Sequence, residues 1–250
     1  MAYHNNPRIV TDGLVLCLDA NAKRSYSGSG STATELVSER VVTLNSIPIQ
    51  NYTPSSAGTT AKAMVFSSGG TNQPTIPDST DFDFRGSISW DFVACRETSS
   101  SGRQTVWSQI NNSNPWNGLG IVTMGIDSTK TLHWWGGNYN GSSFAWWNSG
   151  VSVPENKWCY CAGTWSGTTR KVYVRTIGDT SFSTATTTTM GSHDGATSNQ
   201  TFMIGNESPY SGNAYGIIDG AISFLKIYNR ALSDTEILQN YEAHKSRFGL

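Results

Sequence analysis

The sequence predicts an all-β protein, a two-sheet antiparallel sandwich with one short helix at its C-terminal end. Three observations carry that expectation. Short apolar or alternating runs recur between turn-forming clusters. Charged residues make up only 14% of the 250, while Gly, Ser, Thr, Asn and Trp are plentiful. Helical periodicity is confined to the last stretch of the chain. A sandwich of this length is commonly one domain, and no composition shift or internal repeat divides residues 1–250.

The elements follow in order. Residues 1–12 read as an N-terminal arm. Leu14-Val15-Leu16-Cys17-Leu18 is a continuously apolar run after the Asp12-Gly13 turn, as expected of a strand buried on both faces. Residues 23–34 are Ser/Gly-rich and polar, hence a surface loop. Val41–Leu44 and Ile47–Ile49 are short strand candidates, and Pro48 places them at an edge. Ala63–Phe66 is a further strand, and residues 71–83 form a turn-rich loop.

Ser87–Ala94 alternates, with Ile88, Trp90, Phe92 and Ala94 on one face, the pattern of a half-buried strand. Residues 104–110 and 118–125 follow. Thr131–Trp135 and Phe144–Trp147 are joined by a Gly/Asn-rich loop as a hairpin. Lys157–Trp165 and Arg170–Arg175 flank a tight turn as a second hairpin. Phe182–Thr189 is a Thr-rich edge candidate, and Thr201–Gly205 precedes the closing strand, Ile217–Tyr228. Residues 233–246 are the helix: Ser233 and Glu236 make a capping box, and Ile237, Leu238 and Tyr241 give the apolar stripe expected to pack it over one end of the sandwich.

Net charge is -1 with no basic run, which argues against nucleic acid as a partner, because phosphate binding needs clustered Lys and Arg. No apolar run approaches the ~20 residues that a membrane-crossing helix needs. The N-terminus has no charged segment leading into a long apolar core, so it carries no recognisable signal peptide, and synthesis in a cytoplasm is expected. Cys17, Cys95, Cys159 and Cys161 lie in strand-like runs without metal-ligand spacing and read as reduced core thiols.

Three stretches together resemble one family. Gly13-Leu14-Val15-Leu16-Cys17-Leu18-Asp19-Ala20-Asn21 is similar to its opening strand. Asn156–Gly167 with Val172-Tyr173-Val174 is similar to its central hairpin. Ile227–Ile237 with Asn240-Tyr241 and Arg247-Phe248-Gly249-Leu250 is similar to its closing strand and helix. The family is the laminin-G-like, concanavalin A-like lectin/glucanase jelly roll, in the form encoded by tailed bacteriophages of aquatic bacteria.

The resemblance implies a jelly roll and a virion structural or adhesion protein. Other virion proteins or further copies of the chain would be its partners, and the particle its location. The chain has its own Met and a full closing motif, so it reads as a whole gene product. Ser67-Ser68-Gly69-Gly70 stands where relatives carry an Asp-containing turn, which weakens any borrowed calcium or ligand site there. Arg175-Thr176 stands where they carry Asn-Gly.

Glucanases of this fold place two carboxylates on one strand, and no Glu-x-Asp-x-Glu pattern occurs here. His4, His133, His193 and His244 are scattered outside any triad or metal spacing. A non-enzyme with no cofactor is therefore expected. Asp78, Asp81 and Asp83 are the residues that would offer calcium oxygen ligands, against the plainer reading of a solvated turn. The Trp134-Trp135 and Trp146-Trp147 doublets must each send one indole away from the core unless both faces are covered. Trp135 and Trp147, with Trp116 and Tyr139, are the candidate platform. It would be covered within the domain, form a protein interface, or stack on a host-surface polysaccharide. The first functional expectation is a non-catalytic capsid-decorating or tail-associated module. The second is a lectin-like module, and a glycoside hydrolase is a distant third.

Overall fold

The computed structural model describes residues 7–67, 72–82, 86–97, 103–110, 118–124, 129–137, 144–188, 201–206 and 216–250. In chain order the elements are β1 (Leu14–Asp19), β2 (Thr32–Thr34), β3 (Val41–Thr43), β4 (Ile49–Tyr52), β5 (Ala61–Phe66), β6 (Thr75–Ile76), β7 (Ser87–Arg96) and β8 (Thr105–Ile110). They continue with β9 (Gly118–Thr123), β10 (Thr131–Gly137), β11 (Phe144–Ser152), β12 (Cys159–Ser166), β13 (Thr169–Thr176), β14 (Ser183–Thr187), β15 (Phe202–Ile204), β16 (Gly220–Tyr228) and α1 (Asp234–Phe248).

Two antiparallel sheets form the sandwich. The first runs β14-β13-β12-β7-β16-β5-β4, with β1 also paired to β16; the second runs β11-β10-β9-β8-β15-β6-β3-β2. Both expected hairpins are present. The β12–β13 pair turns through two residues with Ser166 opposite Thr169, and Gly167 supplies the positive φ (56°) that such a tight turn requires. β4 and β14 are edge strands as expected, but β3 is internal to the second sheet. The chain therefore changes sheets between Thr43 and Ile49. The polar loop of residues 23–34 also holds β2, which propensity alone does not reveal because its three residues are Thr-Ala-Thr.

The interior between the sheets is strongly aromatic. Trp90 of β7 meets Trp134 of β10 edge-on, with centroids 5.2 Å apart. Trp134 meets Trp165 of β12 at 5.8 Å. Cys159 and Cys161 line this core from one strand, and all four cysteines are buried free thiols.

A second apolar cluster lies on the outer face of the first sheet, beneath α1. This changes two expectations. β7 is buried on both faces, not half-buried, because α1 and its surroundings cover Val93 and Cys95 as the second sheet covers Trp90 and Phe92. The helix lies over a sheet face, not over a sandwich end. Its capping box forms as expected, but it continues to Phe248, and Gly249 (φ 70°) ends it in the left-handed conformation. The buried stripe is Ile237, Asn240, Tyr241, His244 and Phe248, whereas Leu238 is 42% exposed. The sequence stripe misassigned Leu238 because Asn240 and His244 are polar, yet they face the sheet.

β16 is buried along its whole length. A register shift between Ile222 and Phe224 splits its neighbours: β5 pairs with Gly220–Ile222 and β1 with the stretch beyond. Ser223 at the shift donates to the Lys62 carbonyl (2.7 Å) and accepts from Asn21 (2.9 Å). The irregularity places Ile222 in the interior and Phe224 under the helix, against His244 with centroids 4.2 Å apart.

A polar network runs between sheet and helix. Lys226 stands opposite Asp91 in the β16–β7 ladder, and its Nζ lies 3.0 Å from Asp91 Oδ2. The Tyr160 hydroxyl donates to the same oxygen (2.8 Å), and the Lys226 ammonium donates to His244 Nε2 (3.1 Å). Nearby, Asn240 bridges Tyr228 to the arm: its amide donates to the Tyr228 hydroxyl and its carbonyl accepts from Val10 N.

Candidate functional site

The β10–β11 ladder decides what the tryptophan doublets can do. Trp134 is paired with Trp147, and Trp135 with Trp146. Directly opposed residues share a face, so Trp147 lies on the core side with Trp134 and packs against the interior cluster. Trp135 belongs to the opposite face. The structure therefore does not bring Trp135 and Trp147 together as a platform, and Trp116 and Tyr139 lie outside the described residues.

Around half-buried Trp135 the outer face of the second sheet carries polar chemistry. The Arg103 guanidinium lies 4.2 Å from the centre of its ring. The buried His133, two positions back on the same face, has Nε2 2.8 Å from the Thr131 hydroxyl and 3.2 Å from that of Thr129. Burial first, then the Arg103 charge, push the His133 imidazolium down to about 4, so the ring is neutral near pH 7. The Thr131 hydroxyl donates to Asn148 Oδ1 (3.0 Å).

The expected calcium ligands are dispersed in use. Asp81 pairs with Arg40, whose guanidinium also lies over the Phe82 ring at 5.0 Å. Asp78 accepts from Gln109 (3.4 Å), and Asp83 lies outside the described residues. Among the described residues no three His, Cys, Asp or Glu side chains converge as a metal site.

A feature that sequence reading missed lies where the chain changes sheets. The turn Leu44-Asn45-Ser46-Ile47 closes with Ile47 N donating to the Leu44 carbonyl (2.9 Å) and holds two consecutive non-glycine residues at positive φ, Asn45 (48°) and Ser46 (69°). Such residues cost of order 1–3 kcal/mol each and persist only where their surroundings hold them. The hold is visible: the Asn45 amide donates to the Gln73 carbonyl (2.8 Å), and Gln73 Oε1 accepts from Asn206 (3.1 Å).

Beside this turn a cleft of about 270 Å³ opens at the seam of the two sheets. Ile47, Val65, Phe66 and Ile217 give it an apolar floor, and Ser46, Ser67 and Asn72 a polar rim. A second hollow of about 280 Å³, lined by Asn45, Ser46, Asn72 and Gln73, continues it. The Phe66 ring lies flat against Gly205, where a Cβ would come within 2.2 Å of it. None of these lining residues is charged. The only sequence signals were Asn-Ser between two apolar residues and the uncharged Ser67 turn, and neither announces a pocket.

This geometry, two antiparallel sheets closed by a strand and a helix, is that of a lectin-type sandwich, and the comparisons with known proteins agree. A family model described as the concanavalin A-like lectin/glucanases superfamily matches residues 67–238. The chain belongs to that superfamily.

Among solved structures it is similar to Trypanosoma rangeli sialidase in complex with sialic acid, at 13% identity and a TM-score of 0.57 over 95% of this chain. It spans about a third (34%) of that sialidase chain. It is also similar to domain 4 of AbnA, an extracellular arabinanase from Geobacillus stearothermophilus, in complex with arabinotriose. The identity there is 16% and the TM-score 0.56, covering 92% of this chain and 98% of that one. The binding domain of botulinum neurotoxin DC in complex with SialylT matches at 16% identity and a TM-score of 0.57, over 92% of this chain and 52% of that one. No curated protein matches the sequence.

Proposed function

We propose that this protein is a non-catalytic carbohydrate-binding module, and that the seam cleft holds one ring of a neutral glycan. The observation that carries the reading is the cleft's composition. Hydroxyl and amide groups of Ser46, Ser67 and Asn72, with no side-chain hydrogen bonds among the described residues, stand over an apolar floor without a charge. A sugar ring needs that combination, polar partners at its hydroxyls and a dry surface for its C–H face. A volume of about 270 Å³, just below the ~300–1,000 Å³ range of ligand pockets, suits a single ring. Among the described residues no acid, base or histidine lines the cleft, and none of them offers a group to protonate a glycosidic oxygen or attack an anomeric carbon. The complexes of similar structures with arabinotriose and with SialylT support the class of ligand and not the site.

The test is glycan-array binding by the whole chain, followed by calorimetry on any retained neutral oligosaccharide. Asn72→Ala is expected to weaken binding roughly tenfold, the size of one lost hydrogen bond to a ligand. Trp135→Ala is expected to leave it unchanged. Loss of binding in Trp135→Ala with Asn72→Ala unaffected moves the site to the sheet face. Retention of no glycan at all, with co-purification at fixed stoichiometry on a phage particle, replaces this reading with the structural role in a virion.

A further inference from the structure

We propose that Lys226 and Asp91 form an intramolecular amide bond that cross-links the adjacent strands β16 and β7. The two residues are directly opposed in the ladder, their side chains are 1% and 0% exposed, and the amine nitrogen already lies 3.0 Å from a carboxyl oxygen. As an ion pair the arrangement is poorly compensated. Asp91 Oδ2 accepts from both Lys226 and Tyr160, but the buried Oδ1 has no hydrogen-bond partner among the described residues. An orphaned oxygen on a buried carboxylate is costly, and a neutral amide carbonyl carries less of that cost.

The chemistry balances without a co-reactant. A proton passes from the Lys226 ammonium to the Asp91 carboxylate, leaving a neutral amine beside a neutral acid. The amine lone pair attacks Asp91 Cγ, and the C–N bond forms. His244 Nε2, 3.1 Å from the nitrogen, accepts the second amine proton and returns it to the departing oxygen, which leaves as water. The C–Oδ2 bond breaks with Tyr160, 2.8 Å from that oxygen, supporting the leaving hydroxyl. Ammonium plus carboxylate become amide plus one water, with no net change of charge.

In water the equilibrium for such a condensation is unfavourable. Holding both groups in contact supplies an effective concentration of ~10⁵–10⁸ M, and the dry site beneath α1 disfavours the return of water. The aromatic wall is explicit: Phe224 lies 4.7 Å from Lys226 Nζ, and Tyr241 packs edge-on to Tyr160 with centroids 5.5 Å apart.

Intact-mass spectrometry of the unfolded whole chain tests this. The expected mass is one water below that of the sequence, with the loss mapped by proteolysis to a branched peptide joining Asp91 to Lys226. A full sequence mass overturns the proposal, and so does a water loss mapped elsewhere, such as a succinimide at Asp12-Gly13. Tyr160→Phe keeps the ring and removes the hydroxyl; after refolding it is expected to acquire the link at least about tenfold more slowly. An unchanged rate overturns the role given to Tyr160. Because the decisive reading is made on the native sequence, it does not depend on Lys226 or Asp91 variants folding.

Discussion

Trp134 and Trp147 stand directly opposite each other across the β10–β11 ladder, and both lie on the core side of the second sheet. Trp147 and Trp135, which lies on the opposite face, therefore differ in what they contribute. Trp147→Ala removes an indole packed on the interior cluster and should cost about 2 kcal/mol. Trp135→Ala gives up the Arg103 stack on the outer face and should cost about 1 kcal/mol or less. Urea midpoints of the two variants decide it, and the reverse order contradicts the face assignment.

Gly163 is required for contact and not for a turn. A Cβ there would lie 2.3 Å and 2.5 Å from atoms of Trp90 and 3.0 Å from Trp134, all of them buried rings. Gly163→Ala should lose about 3 kcal/mol, because rigid indoles between two sheets have nowhere to move. A melting temperature equal to wild type would show that the aromatic core repacks freely.

Arg170 is fully buried, with its guanidinium 3.6 Å from the centre of Trp165 and Nη1 donating to the Trp134 carbonyl (3.2 Å). Burial pushes its ionisation down to about 9. Arg170→Lys keeps the charge but loses the plane that stacks on the indole, and should destabilise by about 1–3 kcal/mol. Chemical denaturation measures this; a neutral outcome would mean that charge alone matters at that position.

Acid should weaken the fold in two stages. Burial above all, with the Arg247 charge adding to it, holds the His244 imidazolium far below its usual range, and burial pushes that of His133 down to about 4. The unfolded chain takes up these protons below about pH 6.5 while the folded chain does not. Stability is therefore complete above that pH and declines as the pH falls below it. His244→Gln, which keeps an acceptor for Lys226, should remove the His244 share of this first stage and leave that of His133.

The second stage belongs to the helix start. Arg230 lowers the Glu236 carboxyl to about 2, with the Ser233 amide and hydroxyl assisting. This contribution is whole above the unfolded value near 4.5 and is lost as the pH falls towards 2. Partial exposure limits it to about 1–2 kcal/mol. Glu236→Gln should remove the low-pH stage and leave the histidine stage, as read by stability against pH.

The sequence by itself determined the sandwich, its two hairpins, the closing strand and the capping box. These features are written in local periodicity and turn chemistry, which neighbours in the chain specify. Tertiary structure decided which side chains meet. Strand register sent Trp135 and Trp147 to opposite faces. The helix covered a sheet face through Asn240 and His244, which polarity had excluded from the stripe. The cleft arose where residues 44–48, 65–67, 72–73 and 217 converge from both sheets. Such contacts join residues far apart in the chain, so no local pattern records them. The Lys226–Asp91 pair shows the same division: each residue is ordinary in its own strand, and only the β7–β16 register makes them neighbours.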